Sequence, residues 1–217
     1  APAGWETWTG GAPGSVVVKP GKAQSSPNGL VSSGGTSTAA RGWATADLPP
    51  DVDAAASVYL DSLVPARVLV RGSGLDTETP AYYAAGVTRG LTVQLVRVAN
   101  GAETVLGSVK SAGYVSGQWV RVRVIAEGDL LRVSAYRTDT RQWMTADGGW
   151  SDTPDFVLER RDGAIAGGGK AGVARSAIYS GEVAFDDFTA APAGTNPGPA
   201  VTITPPAGNP LSGEVTF

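Results

Sequence analysis

Residues Gly117–Tyr136 read GQWVRVRVIAEGDLLRVSAY. Val120, Val122 and Val124 alternate with Arg121, Arg123 and Ile125. Beyond a turn at Glu127-Gly128-Asp129, Leu131, Val133 and Ala135 alternate with Arg132, Ser134 and Tyr136. Successive strand residues point to opposite faces. A period of two on both sides of a glycine turn therefore predicts a β-hairpin, one face on a core and the other polar.

The same pattern recurs along the chain. Leu91–Val98 and Thr104–Val109 flank Asn100-Gly101, the pairing that best suits a two-residue hairpin turn. Ser15–Val18, Leu30-Val31, Ala55–Leu63, Ala66–Arg71, Ala81–Val87, Ala171–Ala174 and Gly181–Ala190 read as further strands. Tyr82 and Tyr83 are adjacent in one of them, so one faces the core and the other does not. Residues 138–163 are polar and carry Trp143 and Trp150, which suits a long loop or a ragged strand pair. Gly 30, Pro 15 and the lack of a sustained helical period leave an all-β fold, expected as an antiparallel two-sheet β-sandwich over 1–192. Residues 193–200 have linker composition, and the tail at 201–217 is too short to bury a core of its own.

Composition narrows the chemistry. The net charge of −3 shows no basic footprint for nucleic acid. No apolar run is long enough to cross a bilayer as a helix. The chain holds no cysteine, which excludes disulfides, thiolate metal sites and cysteine nucleophiles. It holds no histidine either, which removes the commonest general base and the commonest metal ligand. A metal here would be a hard, oxygen-bound cation such as calcium.

Two stretches carry a resemblance. The hairpin GQWVRVRV…LLRVSAY and the closing GKAGVARS…GEVAFDDF look like the late strands of concanavalin A-like lectin and laminin-G-type jelly rolls. The opening GWETW…SSPNGL is similar to that of calcium-stabilised carbohydrate-binding jelly rolls. The tail VTITPPAGNPLSGEVTF resembles the first strands of bacterial immunoglobulin-like domains. The resemblance implies two curved sheets face to face, with glycan bound on a concave face. It also implies a monomeric module within a larger secreted or surface bacterial protein.

Candidate site residues follow. In the family, an aspartate placed like Asp186 or Asp187 often ligates calcium with carbonyls of an early loop, here the segment Gln24–Gly29. The bland alternative is that these aspartates solvate an edge strand or cap a turn. For a glycan, the candidates are Tyr82, Tyr83, Tyr136, Trp143 and Trp150 as stacking rings. Arg121, Arg123 and Arg132 share the non-core face of the hairpin and could read an acidic or sulfated sugar; paired with Asp and Glu, they would be an ordinary solvated sheet face. Trp119 heads a hairpin strand and is expected to pack.

Catalysis finds little support. The Glu-x-Asp-x-x-Glu strand motif of laminarinase-type jelly rolls is absent from the sequence. Lys170-Ala171-Gly172-Val173 matches alginate-lyase jelly rolls over four residues only, without their Arg-rich strand or histidine. The expectation is a non-enzymatic carbohydrate-binding module, the alternatives being a structural spacer and a polysaccharide hydrolase or lyase.

Overall fold

The computed structural model describes residues 1–11 and 13–195, and every regular element in them is a strand. In chain order these are β1 (Trp5–Gly10), β2 (Gly14–Pro20), β3 (Asn28–Gly34), β4 (Ala39–Ala44), β5 (Val52–Tyr59) and β6 (Ala66–Ser73). There follow β7 (Ala81–Thr88), β8 (Thr92–Ala99), β9 (Ala102–Lys110), β10 (Trp119–Glu127) and β11 (Leu130–Arg137). The last are β12 (Gln142–Met144), β13 (Trp150–Ser151), β14 (Leu158–Arg161), β15 (Lys170–Arg175) and β16 (Gly181–Pro192). They form two antiparallel sheets. A seven-stranded sheet runs β1-β4-β15-β6-β7-β8-β9. A nine-stranded sheet runs β13-β12-β11-β10-β5-β16-β3-β2, with β14 also paired to β11.

The hairpin at 117–136 sits inside the nine-stranded sheet, between β5 and the β12–β14 edge. Val120, Val122, Val124, Leu131, Val133 and Ala135 are all fully buried, as the alternation requires. They meet Val68, Val70, Tyr83, Ala85, Val87, Val93 and Leu95 from the seven-stranded sheet in one core. Each fully buried aliphatic side chain contributes about 1.5–3 kcal/mol of transfer free energy. The turn is tighter than the sequence suggests. Glu127 pairs with Leu130, leaving Gly128-Asp129 as a two-residue loop with Gly128 at φ 57°. At the second hairpin, Asn100 (φ 53°) and Gly101 (φ 74°) both take the left-handed conformation that a tight hairpin turn demands. The 138–163 stretch is the ragged set β12, β13 and β14 rather than a free loop. The 201–217 tail and most of the 193–200 linker lie outside the described residues.

Buried polar groups tie the loops down. Arg71 is fully buried and donates to the carbonyls of Pro50, Ile165 and Gly128 at 2.7, 2.8 and 2.7 Å. Arg175 donates to the carbonyls of Gly34, Gly35, Thr38, Ser176 and Tyr179. Tyr83 lies in the core with 0% exposure. Its hydroxyl donates to Asp162 Oδ1 at 2.5 Å and accepts from the Ile165 N–H at 3.0 Å. Asp162 Oδ2 in turn holds Arg97 at 2.6 Å.

Burial, then the bond to Asp162, pushes the Tyr83 phenol up to about 12. A group whose folded pKa exceeds its unfolded value contributes stability below the unfolded pKa and loses it as pH rises through the folded one. For a tyrosine that window opens near pH 10. Tyrosinate absorbance should therefore show one late step near pH 12 that is missing in Tyr83→Phe. A titration identical in the two proteins would refute this account of the core.

Candidate functional site

The outward face of the seven-stranded sheet is recessed. Period-two alternation turns Glu6 and Trp8 of β1, Arg41 and Trp43 of β4, and Arg67 and Leu69 of β6 outward. Tyr82 and Ala84 of β7, Val96 and Val98 of β8 and Glu103 of β9 join them. The registers place them side by side: Trp8 opposite Arg41, Arg41 and Arg67 flanking Ala174, and Tyr82, Val98 and Glu103 in one row. Trp43, Leu69, Tyr82, Ala84, Val96, Val98 and Ala174 form a second apolar cluster, separate from the main core. Among the described residues no third sheet covers them. The β6–β7 connection does so instead, and Leu75 inserts into the cluster at 3% exposure.

Arg41 holds that connection in place. Its Nε donates to the Leu75 carbonyl at 2.9 Å, and its Nη2 donates to the Thr77 carbonyl. The guanidinium lies 3.8 Å from the centre of the Trp8 ring. Burial pulls its pKa below the usual arginine value, partly offset by Tyr82, Glu78 and Asp76. The pinned connection separates two clefts. One, of about 270 Å³, is lined by Arg41, Arg67, Glu78, Tyr82, Glu103 and Ser176. The other, of about 370 Å³, is lined by Glu6, Trp43, Asp47, Gly74, Asp76 and Lys170. Arg67 reaches Glu103 at 2.6 Å, and Trp43 Nε1 donates to Glu6 at 3.0 Å. The surface thus combines hydrogen-bond donors, acceptors and aromatic edges.

Most residues singled out from sequence lie elsewhere. Of the two tyrosines, Tyr82 lines the first cleft and Tyr83 is sealed in the core, with no ring face for a ligand. Arg121, Arg123, Arg132 and Tyr136 share the outward face of the nine-stranded sheet. Their guanidiniums are already engaged. Arg123 holds Asp53 through two bonds of 2.8 and 2.5 Å. Arg121 donates to the Asp187 carbonyl and to Thr189 Oγ1, both at 2.9 Å. Arg132 pairs with Glu127 and sits 4.8 Å from the Phe156 ring. The Tyr136 and Trp143 rings meet at 4.9 Å. Trp150 packs half-buried against the main core, with Arg137 over its ring at 5.1 Å. The Trp119 and Tyr59 rings meet at a tilt, 5.3 Å apart, beside a cleft of about 310 Å³ that includes Lys22. The alternation around Arg41, Arg67 and Glu103 marks them as outward-facing, but nothing in the sequence shows that β4, β15, β6 and β9 would bring them together.

Asp186 and Asp187 do meet the early loop. The register shifts between Asp186 and Thr189, and Asp187 takes φ 48°. This bulge turns both carboxylates to the same side. Asp186 accepts from the N–H groups of Ser25 at 2.7 Å and Asp187 at 2.9 Å. Asp187 accepts from the hydroxyls of Ser25 at 2.6 Å and Ser57 at 3.3 Å. Burial raises the Asp186 pKa, against the pull of these amides. All four carboxylate oxygens thus face N–H or O–H donors. Calcium needs six to eight oxygens turned toward the ion, and among the described residues no group of three or more acidic side chains is placed to hold one, so a cation here would draw most of its oxygens from carbonyls and water. With every carboxylate oxygen on an N–H or O–H donor, the pair acts as a clasp between β16 and the Gln24–Gly29 segment.

No family model and no curated protein matches the chain. Solved structures do. A carbohydrate-binding module, CBM66, from Bacillus subtilis is 15% identical with TM-score 0.57, covering 88% of this chain and 96% of its own. A Bacillus subtilis protein of unknown function with a galectin-like fold is 12% identical with TM-score 0.56, over 87% and 89% of the two chains. The exoplasmic/lumenal domain of VIP36, in a Ca2+/Man-bound form, is 9% identical with TM-score 0.54, over 84% and 82%. At these identities the likeness shows the fold: a lectin-like jelly-roll β-sandwich.

A clasp held by hydrogen bonds alone predicts equal melting temperatures in millimolar calcium and in chelator. Calcium bound at a hundredfold excess over Kd would instead add about 2.7 kcal/mol. Asp186→Asn sets an amide against the Ser25 N–H and should cost about 1–3 kcal/mol in either buffer. A calcium-dependent rise in melting temperature that Asp186→Asn abolishes would instead place a metal at the clasp.

Proposed function

We propose that this chain is a non-catalytic carbohydrate-binding module whose ligand lies on the recessed face of the seven-stranded sheet. The observation that carries the reading is the pair of clefts beside the pinned β6–β7 connection. A sugar offers hydroxyls that both donate and accept, together with an apolar C–H face. Sites that fit it mix aromatic surface with a few fixed polar groups. Arg41, Arg67, Glu78, Glu103 and Tyr82 supply that mixture in the first cleft, and Glu6, Trp43 and Lys170 in the second. The fold neighbours named for carbohydrate binding support the reading. Binding also asks for no proton transfer, in a chain without histidine or cysteine. On this reading the module belongs to a larger secreted or surface bacterial protein, which the likeness of the tail to immunoglobulin-like strands supports.

A glycan array probed with residues 1–195 tests the proposal. At least one class of glycan should be retained. Glu78→Arg, which fills the first cleft, should weaken the best hit about tenfold, a loss of about 1.4 kcal/mol. Trp143→Ala, on the other sheet, should leave it unchanged. An array without hits would favour the spacer reading. Loss in Trp143→Ala alone would move the site to the nine-stranded sheet.

A further inference from the structure

Among the described residues, the large apolar side chains that stand exposed are Val17, Leu63, Val105, Tyr114, Ile178 and Tyr179. Such residues scattered singly over a surface are ordinary. Ile178 differs from the others because it lines one of the three clefts. It is 54% exposed and belongs to the β15–β16 connection, where Ala177 lines the first cleft beside it.

The backbone around Ile178 is held in place. Arg175 is fully buried and donates to the Ser176 carbonyl at 3.1 Å and to the Tyr179 carbonyl. The Ser176 N–H donates to the Pro65 carbonyl at 3.2 Å. The chain is therefore fixed on both sides of Ala177-Ile178. A β-branched side chain is also stiff at χ1. Ile178 is thus an apolar group presented at a set position, and a ligand that meets it has little left to order.

The rest of the cleft decides what Ile178 can meet. Tyr82 is 5% exposed, too little of a ring for a sugar face to stack on. The apolar contact falls instead to aliphatic groups: Ala39, Pro80, Val98 and Ala102 with Ala177 and Ile178. A flat C–H face suits an aromatic ring, whereas a branched aliphatic side chain suits a compact apolar group such as a methyl. Glu78 and Glu103 line the same cleft and can accept from the hydroxyls of the same sugar. At about 270 Å³ the cleft lies just under the ~300–1,000 Å³ of sites for drug-sized ligands, which suits one sugar unit.

Resting on the carbohydrate reading above, we infer that the first cleft is a subsite for a sugar unit that carries a methyl group, as 6-deoxy and N-acetyl sugars do, and that Ile178 selects it. The methyl packs against Ile178, and hydroxyls of the same ring donate to Glu78 and Glu103.

Two pairs of sugars test the inference: L-fucose with L-galactose, and N-acetylglucosamine with N-formylglucosamine. In each pair only the first sugar carries the methyl. Affinities are measured by calorimetry on the full chain and on Ile178→Ser and Ile178→Val, each variant first matched to the wild type by thermal melt. In at least one pair the methyl-bearing sugar should bind about fourfold tighter, which is what one buried methyl contributes. Ile178→Ser should remove that advantage and leave the affinity of the other sugar unchanged, and Ile178→Val should keep most of it. A damaged fold would weaken both sugars of a pair alike, so the ratio within the pair separates selection from stability. Equal affinity within both pairs, an advantage that survives in Ile178→Ser, or no binding by either pair when the glycan array gives hits overturns the methyl selection and leaves the carbohydrate reading intact. An array without hits overturns both readings together.

Discussion

The recessed face depends on Arg41. Its two hydrogen bonds to the carbonyls of Leu75 and Thr77 fold the β6–β7 connection back onto the sheet. Leu75 then covers the apolar cluster of Trp43, Leu69 and Ala84, and each cleft gains a wall. Hydrogen bonds to charged groups contribute about 1.5–3 kcal/mol each, enough to hold a short segment against its loop entropy. The Trp8 ring under the guanidinium replaces part of the water that burial removes. Arg71 and Arg175 work in the same way at other places, each gathering carbonyls from separate loops. In a chain without cysteine, buried arginines take the part that disulfides play in many small extracellular sandwiches.

Both sheets pair arginines with carboxylates on their outward faces. On the nine-stranded sheet, Arg123 meets Asp53 and Arg132 meets Glu127, while Arg121 donates to the Asp187 carbonyl and to Thr189. On the seven-stranded sheet Arg67 meets Glu103, and Arg67 and Arg132 alike keep a buried Nε without a partner. The seven-stranded surface carries the functional argument through the two clefts beside the pinned β6–β7 connection, despite its smaller number of aromatic rings.

Much of the fold was legible because strand periodicity is local. Valines 120, 122 and 124 face the core as their spacing demands, the Asn100-Gly101 turn closes as its dihedral preferences demand, and Tyr82 and Tyr83 part to opposite faces. The site was legible only through Tyr82. Alternation tells that Arg41 or Arg123 points away from the core, but not what stands on the neighbouring strand. Arg123 finds Asp53 and Arg67 finds Glu103 through pairings far apart in sequence. The bulge after Asp186 was equally hidden. Strict alternation would part the two aspartates, whereas the shifted register brings both to Ser25.

The central claim is that ligand binds on the seven-stranded face. Amide chemical-shift mapping, with 15N-labelled protein titrated with a glycan retained on the array, tests it most directly. The account predicts shifts concentrated at Arg41, Arg67, Glu78, Tyr82, Glu103 and Ser176. Shifts concentrated instead at Tyr59, Trp119, Tyr136 and Trp143 would contradict it.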